Sequence, residues 1–308
     1  MGRFRLVPKK ILEDYVLEKI TRLIPAFIGK SVTINRINKG ITNNNFKVIV
    51  DGEAFFLSLS GTDSKLLNID FTNKYYNNKI CSDIGISPKV VHYIKTEELL
   101  VTEFINSINP VSKSVHGSEK ISVLVKMIKT LHGAKLFCRN FNMITYIYHY
   151  MTILKKDGFP KLLFPILDRI DNLGQKLAPY RTHLVPCHND LVVENIIENQ
   201  NQMFLVDFDY SGNNDPCFEL GNLIVERGYN HNQVNKLVKR YYGKIQENII
   251  SRVYLQGIVS DIGWSLWGYV QAKVSYLDYD FNQYAINRME RVTNQMDSVD
   301  YELWLKNI

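Results

Sequence analysis

The sequence predicts an α+β protein of two lobes, a small β-rich N-lobe over residues 1–105 and a large helical C-lobe over 106–308. Short β-rich runs separated by turn signals crowd the first third. From Pro110 onward, apolar residues recur at helical spacing. One interlude, about 184–208, returns to a strand pattern and carries several polar residues.

Residues 9–28 open the chain with Ile11, Leu12, Tyr15, Val16, Ile20, Leu23 and Ile24 at helical spacing. Three strand-like runs follow, Val32–Ile37, Phe46–Val50 and Ala54–Leu59. Asp51-Gly52-Glu53 joins the last two, and Asp-Gly between β-rich runs signals a hairpin. Residues 65–84 read as a helix, then Lys89–Tyr93 and Leu99–Ile105 as strands. Helical segments are expected near 113–134, 141–157 and 162–178, and again over the Tyr- and Trp-rich tail, about 215–306. No internal repeat or low-complexity linker is apparent.

Composition narrows the function classes. The 308 residues suffice for a substantial core, and 45% hydrophobic with 22% charged content argues against disorder. The net charge is +6, and Arg3, Arg5, Lys9 and Lys10 read as a basic, solvated start to the first helix. No basic run is interleaved with aromatics as a nucleic-acid groove requires. Cys81, Cys138, Cys187 and Cys217 form no CxxC pair, and no Cys/His spacing reads as a zinc site. No apolar run approaches a membrane span, and neither a signal h-region nor a myristoylation motif is present. The expectation is a soluble cytoplasmic protein, monomer or homodimer, acting on small molecules.

The interlude carries the chemistry. Asp190 follows the short apolar run Leu184–Cys187, Asn195 lies five residues on, and Asp207 follows Met203-Phe204-Leu205-Val206. Two apolar pieces around a polar turn suggest a hairpin. A turn centred near Asn201 sets Asn195 opposite Asp207. An amide oxygen and a carboxylate are hard ligands suited to Mg2+ carrying nucleotide phosphates. Asp190 is then placed to accept a proton from an attacking hydroxyl. Asp-x-x-x-x-Asn followed by a later Asp is the parts list of ATP-dependent phosphoryl transfer. His188 reads as a residue that fixes this loop by hydrogen bonds.

At these residues the chain resembles the choline/ethanolamine kinase family, within the aminoglycoside-phosphotransferase-like branch of the protein kinase-like fold. His188-Asn189-Asp190 through Asn195, Val206 through Gly212, and Glu219-Leu220-Gly221-Asn222 carry the resemblance. His-Asn-Asp is typical of choline kinases, whereas antibiotic phosphotransferases usually have His-Gly-Asp. Gly40, Thr42 and Asn43 look like part of the family's phosphate loop, and Glu103, Phe104 and Ile105 like its adenine hinge. Leu131-His132 looks like a helix signature of the C-lobe.

The resemblance implies that Asp190 is the base, that Asn195 and Asp207 bind magnesium, and that choline is held in the C-lobe. A quaternary ammonium donates no hydrogen bond and is best held by aromatic faces with carboxylates nearby. Trp264 and Trp267, three apart on a predicted helix, share a face. Tyr210, Tyr229 and Tyr269 are further aromatic candidates, and Asp209 and Glu226 supply charge. Two Trp at this spacing also suit plain core packing, and the family match favours the cage. Ethanolamine, another amino alcohol or an aminoglycoside is the alternative acceptor.

One part of the pattern breaks. Kinases of this fold place a Lys or Arg on the third strand, paired with a helix Glu. Here Ser58 and Thr72 fall at those positions, so both halves of the pair are expected to be missing. Lys39, Lys47 and Lys65 are the candidate substitutes, and a pseudokinase that binds without transfer is the alternative from another class.

Overall fold

In a computed structural model, the described residues are 9–37, 42–61, 63–106, 109–110, 118–155, 158–199, 202–275 and 277–308. They form two compact units. One comprises residues 1–109 with 197–209, the other 110–196 with 210–308. The boundary expected near 105 falls near 109, and residues 197–209 return to the first unit. This is the bilobal α+β plan, one lobe built on a sheet and the other on helices.

The first unit begins with helix α1 (Lys9–Leu23), which Pro25 follows in a single 3-10 turn. Its Leu12, Val16 and Ile20 recur every fourth residue, so they line one stripe and bury it on the sheet. Ile11, one step round, is exposed. The sheet has five strands: β1 (Val32–Ile37), β2 (Asn44–Val50), β3 (Glu53–Leu59), β4 (Val90–Ile94) and β5 (Leu99–Glu103), in the order β1-β2-β3-β5-β4 and antiparallel throughout. Asp51 and Gly52 both adopt positive φ, 50° and 89°. That is the two-residue turn whose twist matches the flanking strands, and it fixes Val50 opposite Glu53. Phe46, Val48, Phe55 and Leu57 point inward with α1 to form the core.

Helix α2 (Phe71–Asp83) is shorter than the expected 65–84, because Asp70 caps it by accepting from the Thr72 and Asn73 N–H groups. Its buried face is polar: Asn73, Lys74, Asn77 and Asn78 are all covered. A two-residue strand, β6 (Asn109–Pro110), shares a three-stranded sheet with β8 (Ile196–Asn199) and β9 (Gln202–Leu205). The Leu205 N–H donates to the Ile86 carbonyl at 2.8 Å, holding β9 to the loop after α2.

The second unit holds helices α3 (Ser118–His132), α4 (Met143–Leu154), α5 (Leu167–Leu177), α6 (Pro216–Arg227), α7 (His231–Tyr242), α8 (Glu247–Val274), α9 (Phe281–Met296) and α10 (Val299–Asn307). Pro165 leaves the first part of the expected 162–178 helix as 3-10. Strand β7 (Val185–Cys187) pairs antiparallel with β10 (Gly212–Asn214). Helix α8 is buried on nearly every side from Ile250 to Gln271, with α4, α6, α9 and α10 packed around it. Apolar residues all round a helix suit that central place.

Helices α6 and α8 touch backbone to backbone. A Cβ built on Gly221 would lie 2.6 Å from the Gly257 nitrogen and 2.7 Å from the Val253 carbonyl oxygen. Neither atom can retreat without moving a helix. We expect Gly221→Ala to destabilise the protein by about 1–3 kcal/mol in urea denaturation. Gly174→Ala is the control. Its added Cβ would meet only Ile144 side-chain atoms, the nearest at 3.6 Å. Inside a helix that change should be neutral or stabilise by up to about 1 kcal/mol.

Candidate active site

The loop leaving β7 is built by backbone capture. Gly212 sits opposite Cys187 in the β7–β10 pair, and His188-Asn189-Asp190 departs from there. Asn189 is fully buried with φ of 68°, a left-handed conformation that few residues besides Gly and Asn adopt at low cost. Its Nδ2 donates to the Tyr210 carbonyl at 2.9 Å, and its Oδ1 accepts from Asn214 Nδ2 at 2.8 Å.

Glu219, buried on α6, accepts the backbone N–H of His188 at 2.8 Å and of Asn189 at 2.7 Å, one on each oxygen. Burial pushes its carboxyl up to about 7, against those two donors. The Leu191 N–H donates to Asn222 Oδ1 at 2.6 Å, and Asn222 Nδ2 donates to Ser260 Oγ on α8 at 3.0 Å. The Glu219–Asn222 signature therefore holds the loop at two points, with Gly221 between them allowing α8 to approach. His188 is buried and held through its backbone.

Asp190, half-buried, and Asn195 form one unit of geometry. Asn195 Nδ2 donates to the Asp190 carbonyl and to Asp190 Oδ2, both at 3.0 Å. With its amide nitrogen committed there, Asn195 presents its oxygen the other way. That is the atom a magnesium ion prefers, so the residue fits the expected metal.

The aromatic candidates of the second unit form a chain. Tyr210 meets Trp264 edge-on at 4.8 Å between ring centroids, Trp264 meets Trp267 at 6.1 Å, and Trp267 meets Tyr284 at 5.9 Å. Burial raises the hydroxyls of Tyr284 and Tyr150, with the Asp190 charge adding a smaller contribution. Tyr229 is buried on the loop after α6, and Tyr269 is half-buried on α8. Glu226 is not a lone acidic group. Arg288, buried on α9, donates to Glu226 Oε1 at 2.6 Å and to Asp261 Oδ1 at 2.9 Å, and stacks on Tyr284 at 4.6 Å. Arg291 also binds Asp261. Nothing along the chain signals Arg288, which is 62 residues from Glu226.

In the first unit, Asp207 has φ of 64° and receives Lys74 Nζ at 3.2 Å on Oδ1. Lys74 also lies 2.6 Å from Asp209 Oδ1 and 3.4 Å from Ser58 Oγ. The Asp209 carboxylate is engaged by Lys74 and by Asn43 Nδ2 at 2.7 Å, as its burial demands, since a covered carboxylate requires a partner. Burial and the neighbouring Asp207 push Asp209 up to about 6, against Lys74 and Asn43. Burial pulls the Lys74 ammonium down, but the two carboxylates outweigh it and hold its pKa above the usual lysine value.

The expected loss of the strand cation is thus only half true. Ser58 stands on β3, and the cation reaches its hydroxyl from α2. Among the substitutes expected, Lys65 is exposed and Lys47 lies over the Phe104 ring at 4.5 Å. Lys39 and Gly40 fall outside the described residues. Thr72 meets the Tyr93 hydroxyl at 3.2 Å. Of the other nucleotide candidates, the carbonyl of Thr42 lies against Gly61. The N–H of Glu103 goes to the Lys89 carbonyl and that of Phe104 to the Ala54 carbonyl.

His132, Cys187 and Glu219 bring one ligand-type atom each within 4.8 Å of one another, a convergence that sequence spacing did not reveal. Both Glu219 oxygens already hold the loop, so this trio reads as structural.

Comparison with known proteins agrees with this geometry. The sequence profile of the choline/ethanolamine kinase family matches residues 34–244. The chain belongs to that family, whose members are ATP-dependent small-molecule kinases. Protein LicA of Haemophilus influenzae is 23% identical over 265 residues, covering 82% of this chain and 76% of LicA. Ethanolamine kinase 2 of Mus musculus is 25% identical over 319 residues, covering 91% of this chain and 81% of its own. A solved choline/ethanolamine kinase family protein from Mesorhizobium loti superposes with a TM-score of 0.80 at 26% identity, over 96% of this chain and 98% of that one. No described helix is long and apolar enough to cross a membrane.

Two outcomes test the loop. Asn189→Gly keeps the backbone conformation and loses the side-chain bonds, whereas Asn189→Ala loses both. Ala should therefore be less stable than Gly here by about 1–2 kcal/mol in denaturant titration, the reverse of the order inside a helix.

His132 supplies a pH test. Burial pulls its pKa down from 6.5 to about 3, so it is neutral in the folded protein. Below pH 6.5 the unfolded chain binds a proton that the folded one does not, and acidification costs stability. Glu219 opposes this, because the folded carboxyl takes its proton near 7 and the unfolded one near 4.5. His132→Gln removes only the first slope. The stability advantage of wild type over His132→Gln should shrink by about 1.4 kcal/mol per pH unit between 6.5 and 4.5. An advantage independent of pH would show the imidazole titrating normally.

Proposed function

We propose that this kinase transfers the γ-phosphoryl group of ATP to the hydroxyl of choline, giving phosphocholine. The aromatic chain Tyr210–Trp264–Trp267–Tyr284 carries the reading. Glu226 and Asp261, the carboxylates packed with it, are already occupied by Arg288 and Arg291. A primary ammonium wants hydrogen-bond acceptors that are still available. A trimethylammonium wants ring faces, and the aromatic richness of this region supports that reading.

In the reaction, Asp190 takes the proton of the attacking hydroxyl, steadied by Asn195. Magnesium, when bound with the nucleotide, neutralises charge on the phosphates. Asn195 would give it an amide oxygen and Asp207 a carboxylate oxygen. Glu103, Phe104 and Ile105 form the adenine hinge, and Thr42 and Asn43 belong to the phosphate loop. Tyr229 and Trp267 take part in acceptor binding.

A coupled assay with Mg-ATP tests the reading. Choline should show a kcat/KM at least tenfold above ethanolamine. Trp264→Ala should raise the KM for choline about tenfold or more, the scale of a desolvated cation–π contact. Asp190→Ala should abolish turnover with either amine. Ethanolamine outcompeting choline would remove the choline assignment and leave the kinase class intact.

A further inference from the structure

Lys74 is a buried ammonium on a helix face where only 3% of it reaches solvent. Its position is over-determined: Asp209 at 2.6 Å, Asp207 at 3.2 Å, Ser58 Oγ at 3.4 Å and the Phe71 ring at 5.1 Å. A cation costs much to bury, and a helix can place a lysine in water at almost any other position. Two features say what this one is for. Its ammonium lies against the side chain of Ser58, the β3 residue that aligns with the phosphate-binding Lys or Arg of this fold. It also touches Asp207, the carboxylate assigned to magnesium.

We propose that Lys74 is the phosphate-positioning cation of this kinase, supplied from α2 instead of from β3, with Asp209 as its resident counter-ion. The usual polarity is then reversed. Where other kinases of the fold put the cation on the strand and the carboxylate on the helix, this chain has a serine on the strand and the lysine on the helix. The balancing carboxylate comes from two residues past Asp207. A change at Ser58 that removed the strand cation leaves no stranded charge, since Lys74 and Asp209 satisfy one another. Lys74 has one positive charge against two carboxylates, so the cluster carries net negative charge until Mg-ATP arrives. Magnesium drawing on Asp207 would leave Lys74 on Asp209 and able to donate to a phosphate oxygen. The inference rests on the ATP-dependent class of the family and not on the identity of the acceptor alcohol.

The test measures binding of Mg-ATP and of adenosine by calorimetry on the full chain. Lys74→Met alone would leave Asp207 and Asp209 repelling each other, so it is paired with Asp209→Asn to preserve folding, which circular dichroism and a cooperative melt verify. The folded double variant should bind Mg-ATP at least tenfold more weakly than wild type and adenosine equally well. Adding Ser58→Lys to it should recover most of the Mg-ATP affinity by restoring a cation from the strand. Mg-ATP binding within twofold of wild type in the folded double variant would overturn the proposal. So would a parallel loss of adenosine affinity, since that marks a merely structural lysine. Because the readout is nucleotide affinity, it stands whether or not choline proves to be the acceptor.

Discussion

Much of the second unit depends on one buried carboxylate. Glu219 sits at full burial on α6 and accepts two consecutive backbone N–H groups from the loop that carries Asp190. Those N–H groups leave a strand for a loop and would otherwise be unsatisfied inside the protein, at a cost of about 1–3 kcal/mol each. The carboxylate answers both, and the left-handed Asn189 turns the chain so that Asp190 emerges half-exposed. Asn222, one turn further along α6, fixes Leu191 in the same way. A single helix thus positions the loop that carries Asp190, and α6 is itself fixed by its glycine contact with α8.

The first unit follows the same rule with charges. Helix α2 buries Asn73, Lys74, Asn77 and Asn78 on the face where an ordinary helix would bury aliphatics. Specific partners in space offset the cost of that burial. Asp207 and Asp209 oppose Lys74, Asn43 donates to Asp209, and Ser87 donates to Asn78. Polar burial at this density is characteristic of a site, since an apolar face would have served the core better. In the second unit the charges packed with the aromatic chain are also closed, with Arg288 and Arg291 balancing Glu226 and Asp261.

Amphipathic stripes and turn signals made most elements legible in the chain itself. The period-four stripe of α1, the Asp51-Gly52 hairpin and the long apolar α8 follow from local chemistry. Ends moved where a cap or a proline intervened, as Asp70 did for α2 and Pro165 before α5. Asp190 and Asn195 stand out in the chain because they lie five residues apart, and in the structure Asn195 Nδ2 does bind Asp190. Lys74 and Arg288 were not. In a stretch reading Asn-Lys-Tyr-Tyr-Asn-Asn-Lys, a lysine has the look of a solvated residue, and its carboxylate partners lie 133 residues or more along the chain.

The sequence by itself determined the family and the order of the elements, since these depend on residue types at short separations. Tertiary structure alone decided which charges neutralise one another. Glu226 belongs to Arg288 and Asp209 to Lys74, because burial forces each charge to find an opposite charge in space and contact in space is not encoded by proximity in the chain. For the same reason Ser58, a lost cation when read along β3, becomes in three dimensions the place where a helix lysine reaches the strand.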